Sequence, residues 1–183
     1  MSCYCVIDAI FSRFREHGDA TYIGEPVSQT EHMLQTAHFA EIDGAGATLV
    51  AAALLHDFGH LIHDLPEDSA EHGIDTQHEE LGYRFLERYF PDTVVQPVRM
   101  HVAAKRYLCA IDPAYRDALS AASILSLDLQ GGPMDEAEIK AFVRSPHADD
   151  AVRLRKYDDM GKIPGADVPD LEHYRGILEE VMR

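Results

Sequence analysis

Apolar residues recur with a helical period along almost the whole chain. Residues 4–16 form one such segment, ended by Gly18. Ser28 followed three residues later by Glu31 is a capping-box signature, and it opens a predicted helix through about Glu41. From Ala47 to about Phe58 the chain is rich in Ala and Leu on all sides, the pattern of a buried helix; Gly59 closes it, so His56 and Asp57 are expected in its last turn. Pro66, Gly73 and several acids interrupt the period between His60 and Asp75 and predict a long loop, of a length that often serves as a lid or binding segment. Further helices are predicted at 77–90, 92–108, 113–128, 135–144, 148–160 and 170–182. No useful segment alternates with a period of two, and there is no repeat or low-complexity tract. The expected fold is all-α, a helical bundle in one domain over residues 1–183, with Met33, Leu34, Phe39, Leu54, Leu55, Phe85 and Leu108 in its core.

Composition narrows the setting. No run of about 18 apolar residues is present to span a bilayer, and no basic-then-apolar leader precedes the first helix, so a cytoplasmic protein without a membrane partner is expected. Cys3, Cys5 and Cys109 make neither a disulfide framework nor a thiolate metal site. A formal net charge of −16 argues against nucleic acid, whose binding needs clustered Lys and Arg. Any cation placed deliberately in such a chain wants a reason.

Six side chains suited to metal arrive from separate predicted segments: His32, His56, Asp57, His78, His101 and Asp158. Imidazoles and carboxylates contributed one or two per helix are how a bundle core holds metal ions. One divalent ion seldom takes so many protein ligands, whereas two ions bridged by Asp57 would use them all. Consecutive helical residues diverge by about 100°, so His56 and Asp57 cannot both aim at one ion from the same side, and a bridging Asp57 resolves this. Gln29 with His32, His101 with Lys105, and Arg155 with Asp158 are each spaced to share a helix face. A metal ligand with a cation one turn on builds a pocket for an anion beside the metal. These ligand types suit non-haem iron and also admit Mn or Zn. His17, His38, His63, His72, His147 and His173 lie in polar or loop contexts and are not expected to be ligands; the acid run Asp135 to Glu138 is expected to open an exposed helix.

Several segments then carry a resemblance across nearly the whole chain: Tyr22-Ile-Gly-Glu25, Ser28-Gln-Thr-Glu-His32, Ala53-Leu-Leu-His56-Asp57-Phe-Gly-His60, Gln77-His78-Glu79, His101-Val-Ala-Ala-Lys105-Arg-Tyr-Leu, Gln130-Gly-Gly-Pro-Met134, Arg155-Lys-Tyr-Asp158 and Glu172-His-Tyr-Arg175. In order and spacing they resemble the HD-domain mixed-valent di-iron oxygenases that cleave the C–P bond of 1-hydroxy-2-aminoethylphosphonates, including the N-trimethyl form. More distantly, the chain is similar to the inositol-cleaving oxygenases. The resemblance implies an HD-domain bundle around a central dinuclear site, one iron held by His32, His56, Asp57 and Asp158 and the other by Asp57, His78 and His101. It implies that Lys105, Arg155, His60 and Ser123 hold the phosphonate, that Tyr22 fills an open iron position until substrate arrives, and that Glu25 pairs with the substrate amine. Glu25 precedes Pro26, which favours extended backbone there, and a mobile segment carrying both residues would suit a gate. The implied chemistry takes dioxygen at an Fe(II)/Fe(III) pair, removes hydrogen from C1 and releases phosphate with glycine or glycine betaine, after an upstream hydroxylase has supplied the 1-hydroxy substrate. The rival reading is a metal-dependent HD phosphohydrolase acting on a nucleotide or phosphomonoester. It shares His32, His56, Asp57 and Asp158 but gives His78, His101, Tyr22 and Glu25 no task.

Overall fold

A computed structural model describes residues 3–22, 24–63 and 72–183. The helices are α1 (Cys3–His17), α2 (Gln29–Ile42), α3 (Ala47–Leu55), α4 (His78–Leu86), α5 (Asp92–Ile111), α6 (Pro113–Asp117), α7 (Ala121–Leu129), α8 (Glu136–Phe142), α9 (Ala148–Met160) and α10 (Arg175–Val181), with 3-10 turns at Phe58–Leu61 and Leu171–Tyr174. Among the described residues extended pairing is limited to a single bridge, Thr21 to Ser28. The all-α expectation holds.

The core forms around α3. Every residue from Leu49 to Leu55 is buried, which follows from a segment with no polar side chain after Thr48. α2 contributes Met33, Ala37 and Ala40, α5 contributes Val94, Val95 and Val98, and α9 contributes Leu154 and Tyr157. Of the predicted core residues, Met33, Leu54, Leu55 and Leu108 are buried, while Leu34, Phe39 and Phe85 pack half-buried against the core. α2, α3, α5 and α9 pack on one another; polar residues on their facing sides therefore converge at the centre of the bundle.

Local chemistry sets the helix ends. Ser28 and Glu31 form the predicted capping box, the Ser28 hydroxyl accepting from the Glu31 amide at 3.2 Å and the Glu31 carboxylate accepting from the Ser28 amide at 2.7 Å. Asp135 and Glu138 form a second one, which accounts for the acid run. Several boundaries differ from expectation: the helix expected over 77–90 ends at Leu86, and the one expected over 92–108 runs on to Ile111. The stretch expected as one helix over 113–128 is two, because Ser120 takes extended backbone (φ −64°, ψ 160°) and caps α7 through the Ser123 amide. The stretch at 170–182 begins as a 3-10 turn capped by Asp170. Most relevant to the site, α3 ends at Leu55 rather than near Phe58, and Asp57 has left helical geometry (φ −101°, ψ 14°). Of the loop expected over 60–75, His60 and Leu61 belong to the 3-10 turn, and residues 64–71 lie outside the described residues, as does Ile23.

Candidate metal centre and its cleft

α2 brings His32 to the centre of the bundle, the end of α3 brings His56, and the turn after it brings Asp57. The first residue of α4 is His78, the middle of α5 carries His101 and Lys105, and α9 carries Arg155 and Asp158. All are buried, as the one-turn spacing of the paired residues implied. Because the backbone turns at Asp57, His56 and Asp57 face the same cluster, which a regular helix would have prevented.

The imidazole tautomers are fixed by groups that only accept. Nδ1 of His32 donates to the Gly161 carbonyl at 2.8 Å, Nδ1 of His56 to the Ala53 carbonyl at 2.9 Å, and Nδ1 of His101 to the Val98 carbonyl at 2.7 Å. In the neutral rings the Nε2 lone pairs therefore point inward. They meet one another: Nε2 of His32 lies 3.1 Å from Nε2 of His56, and Nε2 of His78 lies 3.1 Å from Nε2 of His101. Lone pairs facing each other inside a bundle need a cation between them. The carboxylate of Asp57 joins the pairs, Oδ2 lying 3.5 Å from His32 and 3.3 Å from His56, and Oδ1 lying 3.2 Å from His78 and 3.4 Å from His101. His32, His56 and Asp57 form one group able to hold a metal ion, and Asp57, His78 and His101 form another. Asp158 adds Oδ1, 3.4 Å from His32 Nε2 and otherwise without a hydrogen bond, while its Oδ2 is held by Arg155 at 2.7 Å. An orphaned buried carboxylate oxygen beside inward lone pairs fits a bound cation.

Close backbone approach makes this convergence possible. A Cβ on Gly59 would sit 1.9 Å from the His78 carbonyl oxygen, so only glycine lets the turn after Asp57 touch the start of α4. A Cβ on Gly161 would meet the Thr36 hydroxyl at 2.7 Å and His32 Nδ1 at 3.1 Å. Gln77 takes a left-handed conformation (φ 49°), uncommon for a residue with a side chain, directly before His78.

A cleft of about 390 Å³ opens beside the centre, lined by Asp57, His78, His101 and Asp158 together with Tyr22, Glu25, Lys105, Ser123, Ser126, Gln130, Arg155 and Lys162. Lys105 is 3% exposed and donates to the neutral hydroxyl of Ser126 at 2.8 Å. Burial, with Arg155 as the next contribution, pushes its ammonium down to about 7. Arg155 is differently placed. Its guanidinium donates to Asp158, to Asp159 and, through Nε, to the Tyr115 hydroxyl at 3.1 Å, and Tyr115 in turn donates to Asp159 at 2.6 Å. Tyr22 stacks on His32 with 3.7 Å between ring centroids. Burial, then the Asp158 and Asp57 carboxylates, hold its phenol well above the ordinary value, so it is protonated here. Glu25 N–H donates to the Tyr22 carbonyl at 2.7 Å and Tyr22 N–H to the Val27 carbonyl at 2.9 Å. Glu25 faces Lys162 at 3.3 Å, and Lys162 also donates to Ser123 at 3.0 Å. His60 is not among the cleft residues; its ring stacks on His78 at 4.1 Å, Nδ1 lies 3.2 Å from His63, and Nε2 is buried without a partner. Burial and the neighbouring His78 hold it well below its ordinary pKa, hence neutral.

Burial alone would raise the Asp57 carboxyl, but the imidazoles of His56, His101 and His32 outweigh it and hold it well below the usual carboxylate range; for Asp158, Arg155 and then His32 do the same. Both acids are ionised. Lys162 in the cleft, and Tyr115 and Asp159 behind Arg155, were not singled out from the sequence. Lys162 and Lys105 are two of only four lysines, with Lys140 and Lys156, in a chain of 32 acids, which was the available signal.

An all-helical bundle whose centre holds two His/Asp trios sharing one carboxylate defines a metal-binding helical protein. Comparison with known proteins identifies it further: the chain belongs to the HD-domain family, whose model matches residues 30–126. Over 177 residues, 97% of this chain and 90% of the relative, it is 41% identical to the 1-hydroxy-2-(trimethylamino)ethylphosphonate dioxygenase (glycine-betaine-forming) of Leisingera caerulea. Over 178 residues, 96% of this chain and 88% of the relative, it is 41% identical to the hydroxymethylphosphonate dioxygenase of Gimesia maris. These matches reach past residue 126 and so include α9.

Proposed function

We propose that this chain is an HD-domain oxygenase that uses dioxygen to cleave the C–P bond of a 1-hydroxyphosphonate, releasing inorganic phosphate. The observation that carries the reading is the Asp57 carboxylate, each oxygen facing its own pair of histidines, beside a cleft whose buried Lys105 is paired only with a neutral hydroxyl. Phosphate-ester hydrolysis at a single metal would leave His78 and His101 without work; similarity to two phosphonate dioxygenases over nearly the full chain points the same way.

In this reading one iron is held by His32, His56, Asp57 and Asp158 and a second by Asp57, His78 and His101, in a mixed-valent Fe(II)/Fe(III) state. When bound, the iron pair supplies the activation of dioxygen and the oxidation at C1. The chain supplies position and charge. Lys105, with Ser123, binds the phosphonate, the ammonium giving the charge-assisted hydrogen bond that an anion gains most from, while His60, outside the cleft, stacks on the metal-binding His78 instead of reaching the anion. Arg155 adds positive potential while holding Asp158 Oδ2, which leaves Oδ1 free for metal. Tyr22 covers the centre until substrate arrives, and Glu25 receives the substrate's amine where it has one, giving glycine or glycine betaine. The 1-hydroxy group has to come from a preceding hydroxylation, and the reduced cysteines expected from the sequence suit the cytoplasm; no helix among the described residues is long and apolar enough to cross a membrane.

The test is phosphate release from a panel of 1-hydroxyphosphonates by iron-reconstituted protein in air, with oxygen uptake recorded. The expected outcome is about one O₂ consumed per phosphate, close to two irons per chain and a coupled Fe(II)/Fe(III) EPR signal, in keeping with a dinuclear oxygen-activating site. Phosphate release without oxygen, or full activity with zinc alone, would overturn the oxygenase reading.

A further inference from the structure

Lys162 stands at the mouth of the cleft and is not used by the chemistry above. Its backbone is fixed from both sides: the Gly161 carbonyl accepts from His32, and the Gln35 amide exchanges two hydrogen bonds with the backbone of Ile163, both at 2.9 Å. The side chain is thus aimed by the scaffold. Its ammonium lies 3.3 Å from the Glu25 carboxylate and 5.9 Å from the centroid of the Tyr22 ring, and its hydrogen bonds run to the hydroxyls of Ser123 at 3.0 Å and Ser120 at 3.5 Å. The Glu25 oxygen facing it is buried and makes no hydrogen bond. A carboxylate and an aromatic face are what a protein offers an organic cation. Here a tethered ammonium already occupies both.

We infer that Lys162 is the resident cation of the subsite formed by Glu25 and Tyr22, and that it sets how strongly the enzyme favours a positively charged substrate. The inference rests on the phosphonate reading above. A substrate with a cationic nitrogen has to compete with Lys162 for Glu25; a substrate without one leaves the ion pair intact. With side-chain exposures of only 15% for Lys162 and 14% for Glu25, this competition is weakly screened by salt.

Anaerobic titration calorimetry on iron-loaded protein measures the two dissociation constants without turnover, using hydroxymethylphosphonate and 1-hydroxy-2-(trimethylamino)ethylphosphonate. Lys162→Met is expected to move the ratio of constants toward the cationic compound by about tenfold or more, the scale of losing one close charge. Lys162→Gln, which keeps a donor for Ser123, is expected to move it the same way, and Lys162→Arg to leave it near the wild-type value. On a Glu25→Gln background, Lys162→Met should shift the ratio far less, because the contested carboxylate is gone. An unchanged ratio in both Lys162→Met and Lys162→Gln, or a shift toward the neutral compound, overturns the inference. Wild-type protein that binds neither compound sinks the phosphonate reading and this inference with it, an outcome distinct from binding both with an unaltered ratio.

Discussion

Burial drives the Lys105 ammonium down to about 7, with Arg155 adding to the shift. In the free protein, therefore, the positive charge that an anion needs is present below that pH and is lost as pH rises through it. The expected outcome is a limb in kcat/KM that falls above about pH 7. In kcat the limb should lie higher, since a bound anion restores the proton. Lys105→Ala should lose the limb and about 10- to 100-fold in kcat/KM, the worth of one charge-assisted hydrogen bond. A pH series on both proteins checks this, and a limb that persists in Lys105→Ala assigns the titration to another group. His101 and Lys105 were legible in sequence because four-residue spacing on a helix dictates a shared face. Lys162 was not, since it reaches Glu25 across the fold, and neither was the Tyr115 support of Arg155, which comes from α6; Asp159, four residues on in α9, has the same helical spacing and was open to the same argument. The guanidinium expected to serve the phosphonate proves to be engaged by three protein groups first.

Helices were legible from periodicity, and some ends with them: α9 spans 148–160 as expected and α1 stops before Gly18. Ser28 and Glu31 announce α2, whereas the end of α3 is set by tertiary contact: the chain has to leave the helix after His56 to turn Asp57 inward and bring Gly59 against α4. That contact gives a prediction at the scale of two elements. In Gly59→Ala the new methyl would collide with the His78 carbonyl, so the first turn of α4 has to shift. The expected result is loss of the metal held by His78 and His101 while the His32 and His56 side keeps its own, with metal content falling from about two ions per chain toward about one. A stability loss of about 1–3 kcal/mol, typical of overpacking, should accompany it. Metal analysis alongside thermal melting checks both. Retention of both ions at wild-type stability would show that the backbone absorbs the methyl and that Gly59 does not set the distance between the trios.

Across the whole molecule, four helices press a carboxylate-bridged set of imidazoles into a buried centre, and such a set folds stably only around positive charge. Two sources compete for that role. Without metal the charge is a proton: burial opposes it, but hydrogen bonds to Asp158 and Asp57 outweigh burial and raise His32 to about 9. A raised folded-state pKa stabilises the fold fully below the unfolded value near 6.5 and ceases to do so as pH rises through about 9. Metal acts with the opposite sign, because its ligands must be deprotonated and its affinity grows with pH. The chelated protein should accordingly lose melting temperature between about pH 6.5 and 9 through the His32 contribution. Over the same interval the metal-loaded protein should hold or gain, so that the gap between the two widens. At a metal concentration near a hundred times Kd the gap is about 2.7 kcal/mol, or roughly 5–10 °C for a chain of this size. Differential scanning of both forms across that pH range measures it directly. A gap that is absent at every pH would show that the trios bind no metal, and a gap that narrows toward pH 9 would show that His32 does not exchange its proton for the metal.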